Sequence, residues 1–168
     1  FEMLSACHER VERMLNLLTR LRGHVATNGC DAQAATAATD VMRYFDLAAP
    51  QHHLDEELHV FPAVLALRDE RLALLVNCLQ QDHRDMEKRW AAVRQALVRV
   101  AHADAHGGTA FSEADKANMD AFVAIYKDHI LAEEELVYPA ARRTLDARQL
   151  EAMSQDMVRR RGGHPTGT

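Results

Sequence analysis

The chain has 168 residues, of which 48% are hydrophobic and 27% charged, and its net charge is −5 at pH 7. This length suits one domain with an apolar core, and the excess of negative charge argues against a nucleic-acid partner. No apolar run approaches the ~20 residues that span a bilayer, and no signal-peptide core opens the chain. Three cysteines without a CxxC spacing favour a reducing compartment, so we expect a cytoplasmic protein with no membrane partner.

Apolar residues recur every three or four positions along most of the chain, which predicts an all-α protein. We predict five helices, over roughly residues 2–27, 31–67, 70–103, 112–144 and 147–160. Pro50 and Pro62 are expected to kink or interrupt the second helix. Ser112 and Asp115 resemble a capping box at the start of the fourth helix, in which Leu136 is expected to face inward.

Four long helices joined by short connections predict an up-down-up-down four-helix bundle, followed by a short C-terminal helix. The domain is expected to occupy residues 1–161, and residues 162–168 are expected to form a disordered tail. We interpret the basic run Arg159, Arg160 and Arg161 as the solvated end of the fifth helix. The same end is a candidate contact surface for a protein partner.

Residues 52–62 are repeated at 129–139. In each copy a histidine precedes a proline by ten residues, and a glutamate, Glu56 or Glu133, precedes that proline by six. The pair His83 and Glu87 likewise follows the pair His8 and Glu12 by nearly the same number of residues as separates the two repeated segments. We therefore interpret the chain as two related helical hairpins whose matching residues lie opposite one another.

Histidine followed by glutamate four residues later is a frequent motif in this chain. Ten histidines and twelve glutamates would give fewer than one such pair by chance. Five are present, namely His8/Glu12, His52/Glu56, His53/Glu57, His83/Glu87 and His129/Glu133. This spacing places both side chains on one helix face. Several of these residues fall within apolar stripes, so either bound metal or a fully hydrogen-bonded polar layer must compensate their burial.

Imidazole and carboxylate groups without thiolates suit first-row divalent cations and are unlike a structural zinc site. A carboxylate has two oxygens, and we predict that Glu56 and Glu133, one from each hairpin, bridge two cations. Four histidines would complete the ligand set, two for each cation, namely His8, His52, His83 and His129. Glu12 and Glu87 have two alternative roles, as further ligands or as hydrogen-bond partners of the histidines.

Two further histidines are weaker candidates. His52 rather than His53 matches His129 in its distance from the following proline. His53 then lies roughly 100° around the helix, beside the ligands or at the rim of the site. His59 follows His52 by seven residues and is expected near the same helix face. Tyr126 is expected in the core, where its hydroxyl can also reach the site.

The order and spacing of these residues resemble the hemerythrin-like HHE cation-binding domain. The resemblance covers residues 8–143 and is carried by His8, His52-xxx-Glu56, His83, His129-xxx-Glu133 and the segments EELHVFP and EEELVYP. It implies a four-helix bundle with a non-haem di-iron centre, in which oxide or hydroxide bridges the two iron ions. The four histidines would be terminal ligands and the two glutamates bridges. Other divalent metals can enter recombinant material.

Oxygen-carrying hemerythrins have a further histidine where this chain has Glu87. A carboxylate there would favour oxidation over reversible dioxygen transport, because it makes the metals more electron-rich. The resemblance thus implies binding, sensing or redox chemistry with O2, NO or peroxide. The alternatives are a di-iron oxidase or peroxidase, served by a reductase, and an iron or redox sensor acting through a protein partner. A two-zinc hydrolase has less support because no nucleophile stands out, and a homo-oligomer is compatible with every alternative.

Overall fold

The computed structural model describes residues 1–103 and 110–162, and this part of the chain is helical without any strand. Its α-helices are α1 (Glu2–Asn28), α2 (Ala32–Asp55), α3 (Phe61–Leu65), α4 (Glu70–Ala101), α5 (Glu113–Ala132), α6 (Tyr138–Arg142) and α7 (Ala147–Arg160). The all-α prediction is confirmed. Residues 163–168 of the predicted tail lie outside the described residues. None of the described helices combines the length and apolarity needed to cross a bilayer.

Local side-chain contacts explain where the helices begin and end. Asp31 caps α2 by accepting a hydrogen bond from the backbone N–H of Ala34. The predicted capping box of Ser112 and Asp115 is confirmed at the start of α5, and Asp146 caps α7. The first helix ends before Gly29, whose φ of 77° suits a residue without a Cβ.

Two five-residue π-helical turns, Glu56–Val60 and Glu133–Val137, join α2 to α3 and α5 to α6. In each turn an N–H bonds to the carbonyl five residues earlier, from Phe61 to Glu56 and from Tyr138 to Glu133. A proline follows each turn, and the wider winding relieves the collision between a proline ring and the carbonyl four residues earlier. The predicted interruption near Pro62 is thus confirmed, whereas α2 continues through Pro50.

The buried apolar residues form two clusters. The first lies among α1, α2, α4 and α5 and includes Leu18, Phe45 and Leu97. The second contains residues of the two π turns and α7, including Val60 and Met157. Each of the four long helices carries one buried histidine, namely His8, His52, His83 and His129. In α1 and α4 this histidine lies between buried residues of the two clusters, and after α2 and α5 the buried residues of the second cluster begin in the π turn that follows. A polar layer therefore separates two apolar regions.

Leu136 does not face inward as predicted, and its side chain is 53% exposed. Its neighbours Val137 and Tyr138 are buried instead. The π turn adds a residue to one helical repeat, which rotates the following side chains relative to a continuous α-helix. A 3.6-residue period drawn through the fourth helix therefore places Leu136 on the wrong face.

The basic end of α7 also differs from its prediction. Arg159 is solvated as expected, with a 70% exposed side chain, whereas the side chains of Arg160 and Arg161 are only 19% and 29% exposed. Arg160 lies 2.5 Å from Asp55, and Arg161 is hydrogen-bonded to the same carboxylate. Asp55 is fully buried and directly precedes Glu56, so the arginines compensate a buried charge next to the polar layer.

Two matched leucine substitutions test this assignment of faces. Leu97→Ala should lower the free energy of unfolding by about 2–5 kcal/mol, because it leaves a cavity in the first cluster. Leu136→Ala should change it by less than about 0.5 kcal/mol, since an exposed side chain loses few contacts. Urea denaturation measures both values. Equal losses in the two variants would contradict the exposed position of Leu136.

Candidate metal centre

The polar layer contains the six residues that the sequence analysis proposed as metal ligands. None of them is more than 6% exposed. Their nitrogen and oxygen atoms form two groups, within each of which all ligand atoms lie within 4.8 Å of one another. The first group is His8, His52, Glu56 and Glu133, and the second is Glu56, His83, His129 and Glu133. The structure thus brings together two histidines from each hairpin and places both glutamates in both groups.

Glu56 presents one carboxylate oxygen to each group. Its Oε1 atom lies 3.2 Å from Nε2 of His52, and its Oε2 atom lies 3.5 Å from Nε2 of His83. Glu133 is arranged in the same way, with Oε2 at 3.2 Å from His8 Nε2 and Oε1 at 3.2 Å from His129 Nε2. Both carboxylates therefore lie between the two groups, the arrangement that a bridging ligand requires.

The local helix geometry produces this arrangement. His52 and His129 occupy the last turns of α2 and α5, and Glu56 and Glu133 begin the π turns that follow. The i,i+4 spacing brings each histidine next to its glutamate. Since π-helical turns occur frequently at functional sites, their presence after both glutamates supports the assignment of this layer as the site.

Three of the four imidazole rings have an outer carboxylate partner, which the sequence analysis did not identify. They are His8 with Glu134 at 2.8 Å, His83 with Glu57 at 2.9 Å, and His129 with Asp82 at 3.3 Å, each through Nδ1. An ionised carboxylate can only accept a hydrogen bond, so Nδ1 is the donor in each pair. In a neutral ring the Nε2 lone pair then faces the layer, as in metal-binding histidines.

Two of the outer contacts join the hairpins. Glu134 of the second hairpin holds His8 of the first, and Glu57 of the first holds His83 of the second. Glu57 and Glu134 each follow a shared glutamate in the sequence repeat, which was the available signal for their role. The matching residues thus lie opposite one another, as the internal repeat predicts.

Several buried polar atoms in the layer lack a hydrogen-bond partner among the described residues. They are Nδ1 of His52, Oε2 of Glu56 and both carboxylate oxygens of Glu133. In addition, Nε2 of His83 and Nε2 of His129 lie only 3.1 Å apart. Buried polar groups are nearly always paired, so the unpartnered atoms of His52, Glu56 and Glu133 call for further partners. Cations bound by the nitrogen and oxygen lone pairs would supply them, and the donor set fits first-row metals.

The electrostatics of the metal-free layer favour positive charge. Burial alone would lower the pKa of His8, but the neighbouring carboxylates of Glu133 and Glu56 raise it to about 10. Burial likewise opposes protonation of His129, while Asp82 and Glu133 raise its pKa to about 9. Burial would raise the pKa of Glu56, but the neighbouring histidines, His52 first, hold it well below its usual range. Protons on the histidines therefore balance the negative charge of the carboxylates when no metal ion is bound.

The weaker candidates lie outside the two groups. Glu12 and Glu87 are exposed, although they lie four residues after His8 and His83. The carboxylates that contact Nδ1 of those rings, Glu134 and Glu57, come from the opposite hairpin. His59 is directed toward α7, where its Nε2 atom lies 2.9 Å from Asp156.

His53 lies beside the second group. Its ring stacks on that of His83 with 4.1 Å between centroids, and its Nε2 atom lies 3.4 Å from the Tyr126 hydroxyl. Burial holds the pKa of His53 well below its usual range, so the ring is neutral. The Tyr126 hydroxyl, which the sequence analysis directed toward the site, reaches it through this histidine.

A cavity of about 390 Å³ adjoins His83 and His53. Its lining combines these two imidazoles with acidic and aromatic side chains, including Glu57, Glu87, Phe45, Trp90, Phe122 and Tyr126. Of the second group, His83 lines this cavity, so a small molecule held there would lie beside that imidazole.

The sequence model of the hemerythrin HHE cation-binding domain matches residues 1–141. The chain belongs to this family. The resemblance drawn from the His and Glu spacing is thereby confirmed. An uncharacterized protein of Haemophilus influenzae is 29% identical to this HHE chain over 160 residues, which cover 95% of the chain and 88% of that protein. Family membership and the two buried His/Glu groups together indicate a metal-binding protein.

The raised pKa values predict how the stability of the metal-free protein depends on pH. His8 has an ordinary pKa of 6.5 and a folded-state pKa of about 10, so its protonation stabilises the fold fully below 6.5. That contribution is lost as the pH rises through about 10, and His129 acts in the same sense up to about 9. Chelator-treated protein should therefore unfold at lower urea concentrations as the pH rises from 7 to about 10.

A matched pair of variants identifies the groups responsible. His8→Gln should reduce this pH dependence, whereas His102→Gln, at an exposed position, should leave it unchanged. A metal-free protein whose urea midpoint is constant or rises over this range would contradict the protonated layer.

Proposed function

We propose that this protein holds two iron ions in its buried polar layer and binds O2, NO or peroxide there. The observation that carries the proposal is the sharing of Glu56 and Glu133, each with one oxygen directed to each group of histidines. Iron bound there would supply electrons and open coordination positions for a small ligand. Oxygen and nitrogen donors without sulfur, held in a hydrogen-bonded outer shell, support iron over structural zinc.

In this proposal each ion has four protein ligands. The first is held by His8 and His52 and the second by His83 and His129, with the two glutamates common to both. Two divalent ions carry more positive charge than the two bridging carboxylates neutralise, and the neutral imidazoles add no negative charge. The outer carboxylates Glu57, Glu134 and Asp82 offset the remaining positive charge and hold the rings in orientation.

The cavity supports a second candidate function, a di-iron oxidase or peroxidase. Its volume of about 390 Å³ is far larger than a diatomic molecule needs and falls in the range of small-molecule sites. Aromatic side chains form much of its lining, so a small apolar reductant fits the space better than a polar one. Peroxide-dependent oxidation of such a compound, abolished in Glu56→Gln, would distinguish the enzyme from a binding protein.

We further propose that the four long helices run up-down-up-down and that the protein works in the cytoplasm. Contacts of α1 with α2 and of α4 with α5 support antiparallel neighbours joined by short connections. Cys7 and Cys78 are free thiols, which fits a reducing compartment.

Metal analysis of matched glutamate variants tests the shared carboxylates. Wild-type protein expressed with ample iron should hold two iron ions per chain and show a ferric spectrum in air. Glu56→Gln should lose both ions, because each position loses a ligand, whereas Glu12→Gln and Glu87→Gln should retain both. Elemental analysis and optical absorption measure the outcome. Less than one iron per wild-type chain, or full retention in Glu56→Gln, would count against the proposal.

The role of the cavity is tested by narrowing it. Leu54 lines the cavity, so Leu54→Trp should slow the binding of azide to the ferric protein several-fold without changing its iron content. Leu47→Trp, also on α2 but 66% exposed and away from this cavity, should bind azide at the wild-type rate. Stopped-flow absorption compares the rates. Unaltered kinetics in Leu54→Trp would show that ligands enter elsewhere.

A further inference from the structure

The two halves of the polar layer differ at one position of the internal repeat. Phe61 follows Glu56 by five residues, and Tyr138 follows Glu133 by the same distance. Both rings are 1% exposed, and both stack on a histidine of the layer. They differ by a single hydroxyl group, which the repeat places on one side only.

The Tyr138 hydroxyl lies among the inward-facing atoms of the first group. It is 3.1 Å from Nε2 of His8 and donates a hydrogen bond to Oε1 of Glu56. These two atoms belong to the set that would surround the ion at the His8/His52 position. The phenol ring is nearly parallel to the His8 ring, at 6° and 5.3 Å between centroids, which holds the oxygen in place.

The second group has no equivalent oxygen within the described residues. Phe61 stacks on His83 with 5.7 Å between centroids and carries no donor atom. On this side the neighbouring features are the His53 ring and the aromatic-lined cavity. One half of the layer therefore has an additional oxygen, and the other half adjoins space for a small molecule.

We propose that the Tyr138 hydroxyl oxygen is a fifth protein donor at the His8/His52 position, which makes the two metal positions inequivalent. The inference rests on the proposed function, because it assumes that the layer holds iron. When the oxygen binds iron(III), the phenol O–H bond breaks, an oxygen–metal bond forms and the proton leaves to solvent, with no electron transferred. The His83/His129 position keeps four protein donors and is the one to which an exogenous ligand binds.

Optical and resonance Raman spectra of the iron(III)-loaded chain test the assignment. Phenolate bound to iron(III) gives a visible charge-transfer band, whose excitation enhances tyrosine ring vibrations. We expect this band in the wild type and in Tyr126→Phe, and its loss in Tyr138→Phe with two iron ions retained. Phe61→Tyr adds a hydroxyl at the matching position and should intensify the band. Absence of the band from wild-type protein with two iron ions, or its survival in Tyr138→Phe, would overturn the assignment.

Two measurements keep the outcomes distinguishable. If Tyr138→Phe does not fold, wild-type protein grown with ring-deuterated tyrosine decides the question, compared with Tyr126→Phe and Tyr44→Phe. Isotope-shifted ring modes that persist in both variants support Tyr138, and unshifted modes contradict it. Less than one iron per chain contradicts the proposed function itself, whereas two iron ions without the band contradict only the role of Tyr138.

Discussion

Two fully buried carboxylates, Glu56 and Glu133, impose the constraint on which the rest of this structure depends. Neither side chain reaches water, and each lies between imidazoles from both hairpins. A buried carboxylate without a counter-charge is strongly unfavourable, so the fold must always supply positive charge at this layer. Protonated histidines do so in the metal-free chain, and metal ions can take their place. Protons and metal thus compete for the same atoms, and occupancy of the layer is coupled to folding.

The layer also explains the two apolar clusters. The chain passes between the two clusters near each of the four histidines, so apolar residues enclose the polar groups on both sides. The second cluster includes Met153 and Met157 of α7, and the helix ends where Arg160 and Arg161 meet Asp55. The C-terminal helix thereby shields the layer from one side and neutralises the carboxylate next to Glu56.

Much of this could be predicted from the sequence, because helix periodicity and the His-xxx-Glu repeat are local patterns. Those patterns located the helices and the six residues that the fold brings together. The π turns were not predicted, since their register depends on how the chain accommodates Pro62 and Pro139, and Leu136 was misplaced as a result. Arg160 and Arg161 were assigned to solvent because their partner, Asp55, lies far away in the chain. The outer carboxylates were missed for the same reason.

The crossed contacts of Glu57 and Glu134 have a consequence for the origin of the fold. One hairpin alone would leave its first histidine without the carboxylate that orients it, because that carboxylate belongs to the other hairpin. An ancestor of half this length would therefore have needed to assemble as a symmetric pair. Fusion of two such copies would let them diverge, and Tyr138 at the position that matches Phe61 is a difference that identical halves could not have.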